Sequence, residues 1–321
     1  MDLPPALRRI ADEVADGVPL ADLAAAAAVL SARYRDEVRD GRYHLSGDLA
    51  ARAYLAARLP ATFAAAAAAL ASAADAVPDL DPADVLDVGA GPGTATLAAK
   101  AVFPALASAR LAEGSPWIRA WGERLLAASG LPARWIDGDI ATTLADAEPA
   151  SLVTLAYVLD EIAPSARPGL VARAFALARD ALVIVEPGTP AGWRRILEAR
   201  DGLIAAGATI AAPCPHQAPC PLVVPDWCHF AARLARSRLH RQVKRAEVPY
   251  EDEKYLHLVA TRLPVRPLAA RVIAPVHAGS GRTDVKLCLS DGSASRRLVT
   301  RRDGDLFRRL RRADWGDAID P

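Results

Sequence analysis

At 321 residues, 52% of them hydrophobic, the chain is too long for one minimal domain and too short for three large ones, and it can bury a sizeable core without disulfide staples. A formal net charge of +1 excludes a uniformly polybasic or polyacidic protein, yet 229–312 holds 20 Lys and Arg against 8 Asp and Glu, so this part carries about +12 and the remainder is acidic. Four cysteines in such a length exclude a disulfide scaffold; in a reducing cytosol they are metal ligands or core thiols.

Residues 1–78 read as helices, built from alanine-rich runs such as "LADLAAAAAVLSARYR" with no strand-like alternation, and predict a helical region laid over the next domain. The opening "MDLPPALRRIADEV" lacks the order of a secretory signal. Leu59 to Val77 is nearly uncharged and close to membrane-spanning length, but its bulk is alanine, which gains little from lipid. It reads as a buried, helix-packing segment of a cytoplasmic protein without membrane contact.

From Asp84 the texture changes. "DVLDVGA", "SARLAEGS", "ARWIDGDI", "ASLVTLAYVLDEI" and "DALVIVEPG" read as strands separated by helices, which predicts βαβ units and a parallel, Rossmann-like α/β domain over 79–210. Residues 211–321 read as a cysteine-bearing loop and a basic amphipathic helix, "HFAARLARSRLHRQVKRA". A small antiparallel β unit comes last, from "KYLHLVATRL" onward, with hairpin turns at "AGSG", "SDGS" and "RRDG".

The first chemistry-bearing motif is "VLDVGAGPGTATLA". A strand ending in alternating glycines and opening a helix lets backbone approach a ligand and offers free N–H groups to an anion. With an acid before the glycines, this form resembles motif I of S-adenosylmethionine (SAM)-dependent methyltransferases. The resemblance implies a cofactor set of Asp87, Gly89, Ala90, Gly91, Gly93, Thr94, Glu113, Asp139, Ile140 and Tyr157. In it Glu113 takes the ribose hydroxyls, about twenty residues after the glycines, and Asp139 the adenine amino group. The amino-methylating tetrapeptide, Asn or Asp followed by two prolines and an aromatic, is absent. After the fourth strand stand Asp160 and Glu161, read as caps of the next helix rather than as substrate groups, and Glu186 is expected at the pocket rim. No residue is assigned as catalytic.

Cys214, Cys220 and Cys228 lie within fifteen residues, and Cys288 is the remaining thiol. Four thiolates suit a zinc ion or an iron–sulfur cluster equally by ligand count; the looser spacing, without paired knuckles, favours the larger cluster. His216, Asp226 and His229 are substitute donors. Beside the loop, Arg233, Arg236, Arg241, Lys244 and Arg245 on one helix would face phosphates.

"LSARYR", "YLAARLPATFAA", "DVGAGPGTA", "VIVEPGTPAGW", "PCPHQAPCPL", "DWCHFAARLARSRLHR" and "YEDEKYLHLVA" together resemble the methyltransferase-like proteins of the mitochondrial small ribosomal subunit and their bacterial relatives. The resemblance covers most of the chain. It implies a role in assembly or maturation of the small ribosomal subunit through its RNA, and a four-iron (4Fe-4S) cluster on Cys214, Cys220, Cys228 and Cys288, with zinc as the alternative. Two other functions compete: a non-catalytic RNA-binding assembly factor using the fold as scaffold, and a small-molecule methyltransferase.

Overall fold

A computed structural model describes residues 1–37, 44–138 and 140–320. The chain opens with four helices, α1 (Pro5–Asp12), α2 (Leu20–Arg35), α3 (Asp48–Ala57) and α4 (Leu59–Ala76). The alternating region comprises β1 (Asp84–Val88), α5 (Thr94–Val102), β2 (Ser108–Ala112), α6 (Pro116–Ser129), β3 (Ala133–Ile136), α7 (Ile140–Ala145), β4 (Ala150–Ala156), α8 (Arg167–Leu177), β5 (Ala178–Pro187) and α9 (Pro190–Ala205). Next come β6 (Thr209–Ala212), β7 (Phe230–Ala235), α10 (Arg238–Val243) and β8 (Tyr250–Thr261). The last part holds β9 (Ala270–Val272), β10 (His277–Gly279), β11 (Arg282–Leu289), β12 (Ala294–Thr300), α11 (Gly304–Leu310) and β13 (Ala318–Ile319).

β1 to β5 form a parallel sheet in the order β3-β2-β1-β4-β5. The apolar runs of β1, β4 and β5 are buried, as strands covered on both faces require, while β3 lies at the more exposed edge. β2 and β4 flank β1 on opposite sides, so the crevice where the winding reverses opens beyond the carboxyl ends of β1 and β4. The architecture is Rossmann-like, as expected.

The far edge differs from expectation. "KYLHLVATRL" is part of β8, which pairs antiparallel with β5 and extends the main sheet instead of starting the small one. Two short strands share its other side: β6 pairs with the Thr261 end and β7 with the Tyr250 end. The segment read as one basic helix thus begins as β7, and only its later part is helical, as the six-residue α10. Arg233 of β7 meets Asp252 of β8 in a bidentate pair at 2.7 Å, and Arg236, just beyond β7, meets Glu251 at 3.2 Å. These cross-strand charges favour pairing that helical periodicity alone does not reveal. β9 to β13 form the separate small sheet.

The alanine-rich segment is α4, which packs against α5, β7 and β8. Its length and hydropathy would let it cross a membrane, but 67% of it is buried inside the protein. Alanine keeps the helix close to the sheet, and Leu59, Phe63 and Leu70 supply the bulk.

α6 crosses the glycine loop at Gly122, where a Cβ would stand 2.6 Å from the Trp135 ring and 3.1 Å from the Pro92 carbonyl carbon. Gly122→Ala gains up to about 1 kcal/mol of helix propensity but overpacks a rigid indole at a cost of about 1–3 kcal/mol. The variant should therefore be the less stable in denaturant unfolding; equal or greater stability would contradict this close packing.

Candidate functional site

The glycine loop leaves β1 with Gly89, Gly91 and Gly93 all in the left-handed region, at φ of 68°, 56° and 79°. A Cβ on Gly89 would lie 2.6 Å from Val158, whereas one on Gly91 would meet nothing within 4 Å, because that residue faces the open cleft. Asp87 sits below. Its carboxylate accepts from Thr96 N (3.1 Å), Thr96 Oγ1 (2.8 Å) and Thr154 Oγ1 (2.7 Å), tying β1 to α5 and β4. Asp87 therefore holds the loop in shape from beneath, and burial raises its pKa against those hydrogen bonds.

Glu113, at the end of β2, closes the neighbouring side. It accepts from Gly91 N at 2.8 Å and Ser115 N at 2.7 Å, and Ser115 Oγ donates to the Leu45 carbonyl of the helical region. Two acceptor positions on the carboxylate remain unused by these bonds. Burial raises the Glu113 pKa while the two N–H bonds lower it. The Thr94 hydroxyl, at the start of α5, is buried without a hydrogen-bond partner.

These groups line one end of a cleft of about 1410 Å³ whose walls also include Ala90, Ile140 and Tyr157. Asp139 lies outside the described residues. Tyr157 has a positive φ of 60°, and its hydroxyl meets Glu253 at 3.3 Å. Glu253 in turn holds Arg58 through bonds of 2.8 and 3.3 Å, so the helical region, the end of β4 and β8 meet at one partly buried charge pair. Neither Arg58 nor Glu253 was anticipated. The usable signals were a lone arginine in an alanine run and three acids opening an apolar strand.

At the other end, Glu161 is exposed to the water of the cleft, with protein and Asp160 around it; burial first, then the Asp160 charge, pushes its pKa up to about 8. Glu186 is not at the rim, as expected from topology, but fully buried. It accepts from Leu159 N at 3.2 Å and pairs with Arg195 at 2.5 Å, and Arg195 reaches Glu37 of the helical region at 2.6 Å. The residue is inward because β5 ends in a carboxylate that Arg195 neutralises, and it fixes the turn after β4.

The seventeen residues between β6 and β7 form the cysteine loop, which leaves and rejoins the sheet along the same side of β8. Cys214, Cys220 and Cys228 are half-buried and Cys288, on β11, is buried. They converge. The Cys228 pKa is raised by burial and then by Cys214, Cys220 and Cys288; that of Cys288 is pushed up to about 12 by burial, Cys214 and Cys220. Among the described residues no three His, Cys, Asp or Glu side chains stand close enough to grip a single ion. Of the substitute donors, His216 Nε2 lies 3.3 Å from the Cys288 sulfur, Asp226 pairs with Lys286, and His229 packs between Trp227 and Trp315. Trp227 Nε1 donates to the Gly188 carbonyl at 3.2 Å, on the wall of the cleft.

Of the five basic residues expected on one helix face, Arg233, Arg236 and Lys244 are paired with Asp252 or Glu251, while Arg241 and Arg245 have no carboxylate partner among the described residues.

Because the folded Glu161 binds its proton more tightly than the unfolded chain does, it lowers stability as pH rises from about 4.5 to about 8. Glu161→Gln should flatten the fall in stability across that window, measured by urea unfolding at stepped pH; an unchanged profile would contradict the environment described for Glu161.

Residues 48–320 match the family described as mitochondrial small ribosomal subunit Rsm22. The human mitochondrial ribosome assembly protein METTL17 is 29% identical over 287 residues, covering 83% of this chain and 61% of that protein, so the chain spans about three fifths of its relative's length. A precorrin-6y C5,15-methyltransferase from Geobacter metallireducens is 11% identical with a TM-score of 0.41, covering 62% of this chain and 87% of that one. An O-methyltransferase family protein from Burkholderia thailandensis is 14% identical with a TM-score of 0.43, covering 73% and 68%. The match over most of its length makes this chain a member of the Rsm22 family.

Proposed function

We propose that the chain binds SAM in the switch-point cleft, carries a thiolate-held iron–sulfur centre, and works in assembly of the small ribosomal subunit through contacts with its RNA. The observation that carries the cofactor reading is the cradle itself. Gly91 opens onto empty space, and Glu113 is anchored with acceptor positions to spare. SAM, when bound, supplies an electrophilic methyl group on a sulfonium. The residues of this chain would bind and orient it: Glu113 accepts from the ribose, and the N-terminus of α5 favours an anionic group. The helical region supplies one wall of the cleft, through Tyr34, Tyr54 and Arg58.

For the metal, the donor set fits sulfur chemistry. Four thiols gather in one neighbourhood, and the loose spacing of Cys214, Cys220 and Cys228, without paired knuckles, favours a cluster over zinc. Cys214, Cys220, Cys228 and Cys288 would hold it.

The ribosomal reading rests on the family and on the human relative, which is a ribosome assembly protein. Charge supports an RNA partner, with its weight moved from Arg233 and Arg236, already paired with carboxylates, to Arg241, Arg245 and the exposed arginines of the last eighty residues. Arg297, Arg301, Arg302, Arg309, Arg311 and Arg312 have no carboxylate partner among the described residues. A second reading, an RNA-binding scaffold without methyl transfer, is favoured by the segment after β4, which lacks the amino-methylating tetrapeptide.

Calorimetry with SAM should detect binding in the parent protein. Glu113→Ala should weaken it by one or two charge-assisted hydrogen bonds, roughly 1.5–3 kcal/mol each. No binding at high micromolar SAM would leave the scaffold reading, and unchanged affinity in the variant would remove Glu113 from the ribose. Replacing Arg301 and Arg302 together by Gln should reduce the salt dependence of binding to small-subunit RNA, lowering the slope of log K against log salt by about 2. An unaltered slope would place the RNA on another face.

A further inference from the structure

Two buried guanidiniums flank the thiols. Arg200 of α9 is 1% exposed and Arg271 of β9 is 5% exposed. Arg200 donates to the His216 and Ala218 carbonyls at 3.1 and 2.7 Å; Arg271 donates to the Pro213 and Gly316 carbonyls, both at 3.0 Å. Among the described residues the only carboxylate in reach of Arg200 is the exposed Asp201 at 3.4 Å, and none pairs with Arg271. Asp75, which acts on Arg271 across a distance, is engaged at the surface by Arg266. Arg200 Nε and Arg271 Nη2 are buried without a hydrogen-bond partner. Arg271 is also the direct cross-strand neighbour of Cys288.

A buried guanidinium without a counter-ion is strongly disfavoured, and two of them against one loop demand negative charge nearby. The groups at hand are the thiols. Arg271 stands opposite Cys288 across the β9–β11 pairing, and both arginines hold carbonyls of the loop that carries Cys214 and Cys220. Four thiolates around a divalent ion, or around a cluster core of the same charge, carry a net charge of about −2, which two guanidiniums match. We infer that Arg200 and Arg271 are the counter-charges of the thiolate centre, positioning residues that retain the metal and, for a cluster, raise its reduction potential. The inference rests on the metal reading above.

Full-length protein purified anaerobically is assayed for bound iron and zinc, then for release of that metal into excess EDTA. Arg271→Met, similar in reach but uncharged, should release it at least about tenfold faster than the parent, while Arg271→Lys stays within about threefold. In iron-loaded protein the Met variant should also have the more negative reduction potential and the Lys variant a potential near the parent's. If Arg271→Met fails to fold, Arg200→Met and Arg200→Lys make the same comparison. A metal-loaded parent whose Met variant behaves identically would overturn the counter-charge role alone. A Lys variant as leaky as the Met variant would also overturn it, since the arginine would then serve only to clamp carbonyls. A parent without metal would refute both this role and the metal reading.

Discussion

One long strand carries two half-length partners on its outer side, and the structure depends on that interruption. β8 pairs with β5 along seven residues, which completes the Rossmann-like sheet. On its other side β6 stops at Ala212 and β7 begins at Phe230, so the chain between them must leave the sheet and return to it. A loop pinned at both ends to one rigid strand has few conformations to lose, which makes it a suitable carrier for ligands that must be held in fixed geometry. The small sheet then brings Cys288 in from the other direction.

The same strand reaches the cleft. Glu253, near the start of β8, holds Arg58 and meets Tyr157, while the adjoining Lys254 packs on Gly188, which in turn receives a hydrogen bond from Trp227 beside Cys228. The glycine-loop cleft and the cysteine loop are therefore joined through short, direct contacts at one end of β8. Within the cradle, the division of labour among carboxylates follows their partners. Asp87 is occupied by three donors and shapes the loop from below; Glu113 is occupied by two and lines the open cleft; Glu186 is neutralised by Arg195 and braces the turn.

Much of this was legible in local patterns. The alternation from Asp84 onward announces the parallel sheet, and the glycine spacing announces a tight, open loop, because both rest on short-range chemistry that the sequence carries directly. The gathering of Cys288 with three thiols some sixty residues earlier was legible only because so few cysteines exist. What failed depended on distant pairing. "HFAARLARSRLHR" fits a helical period throughout, yet the acids of "YEDEKY" opposite its first half select a strand there, and only the second half is helical. Arg200 and Arg271 look like ordinary surface residues in sequence; nothing local tells that the cysteine loop folds over them.

The most direct test of the thiolate centre is a crystallographic map of anaerobically prepared protein with anomalous data at the iron and zinc edges. The expected result is an iron peak enclosed by the sulfurs of Cys214, Cys220, Cys228 and Cys288, between Arg200 and Arg271. A map with those four sulfurs ordered and no anomalous density among them at either edge would contradict it.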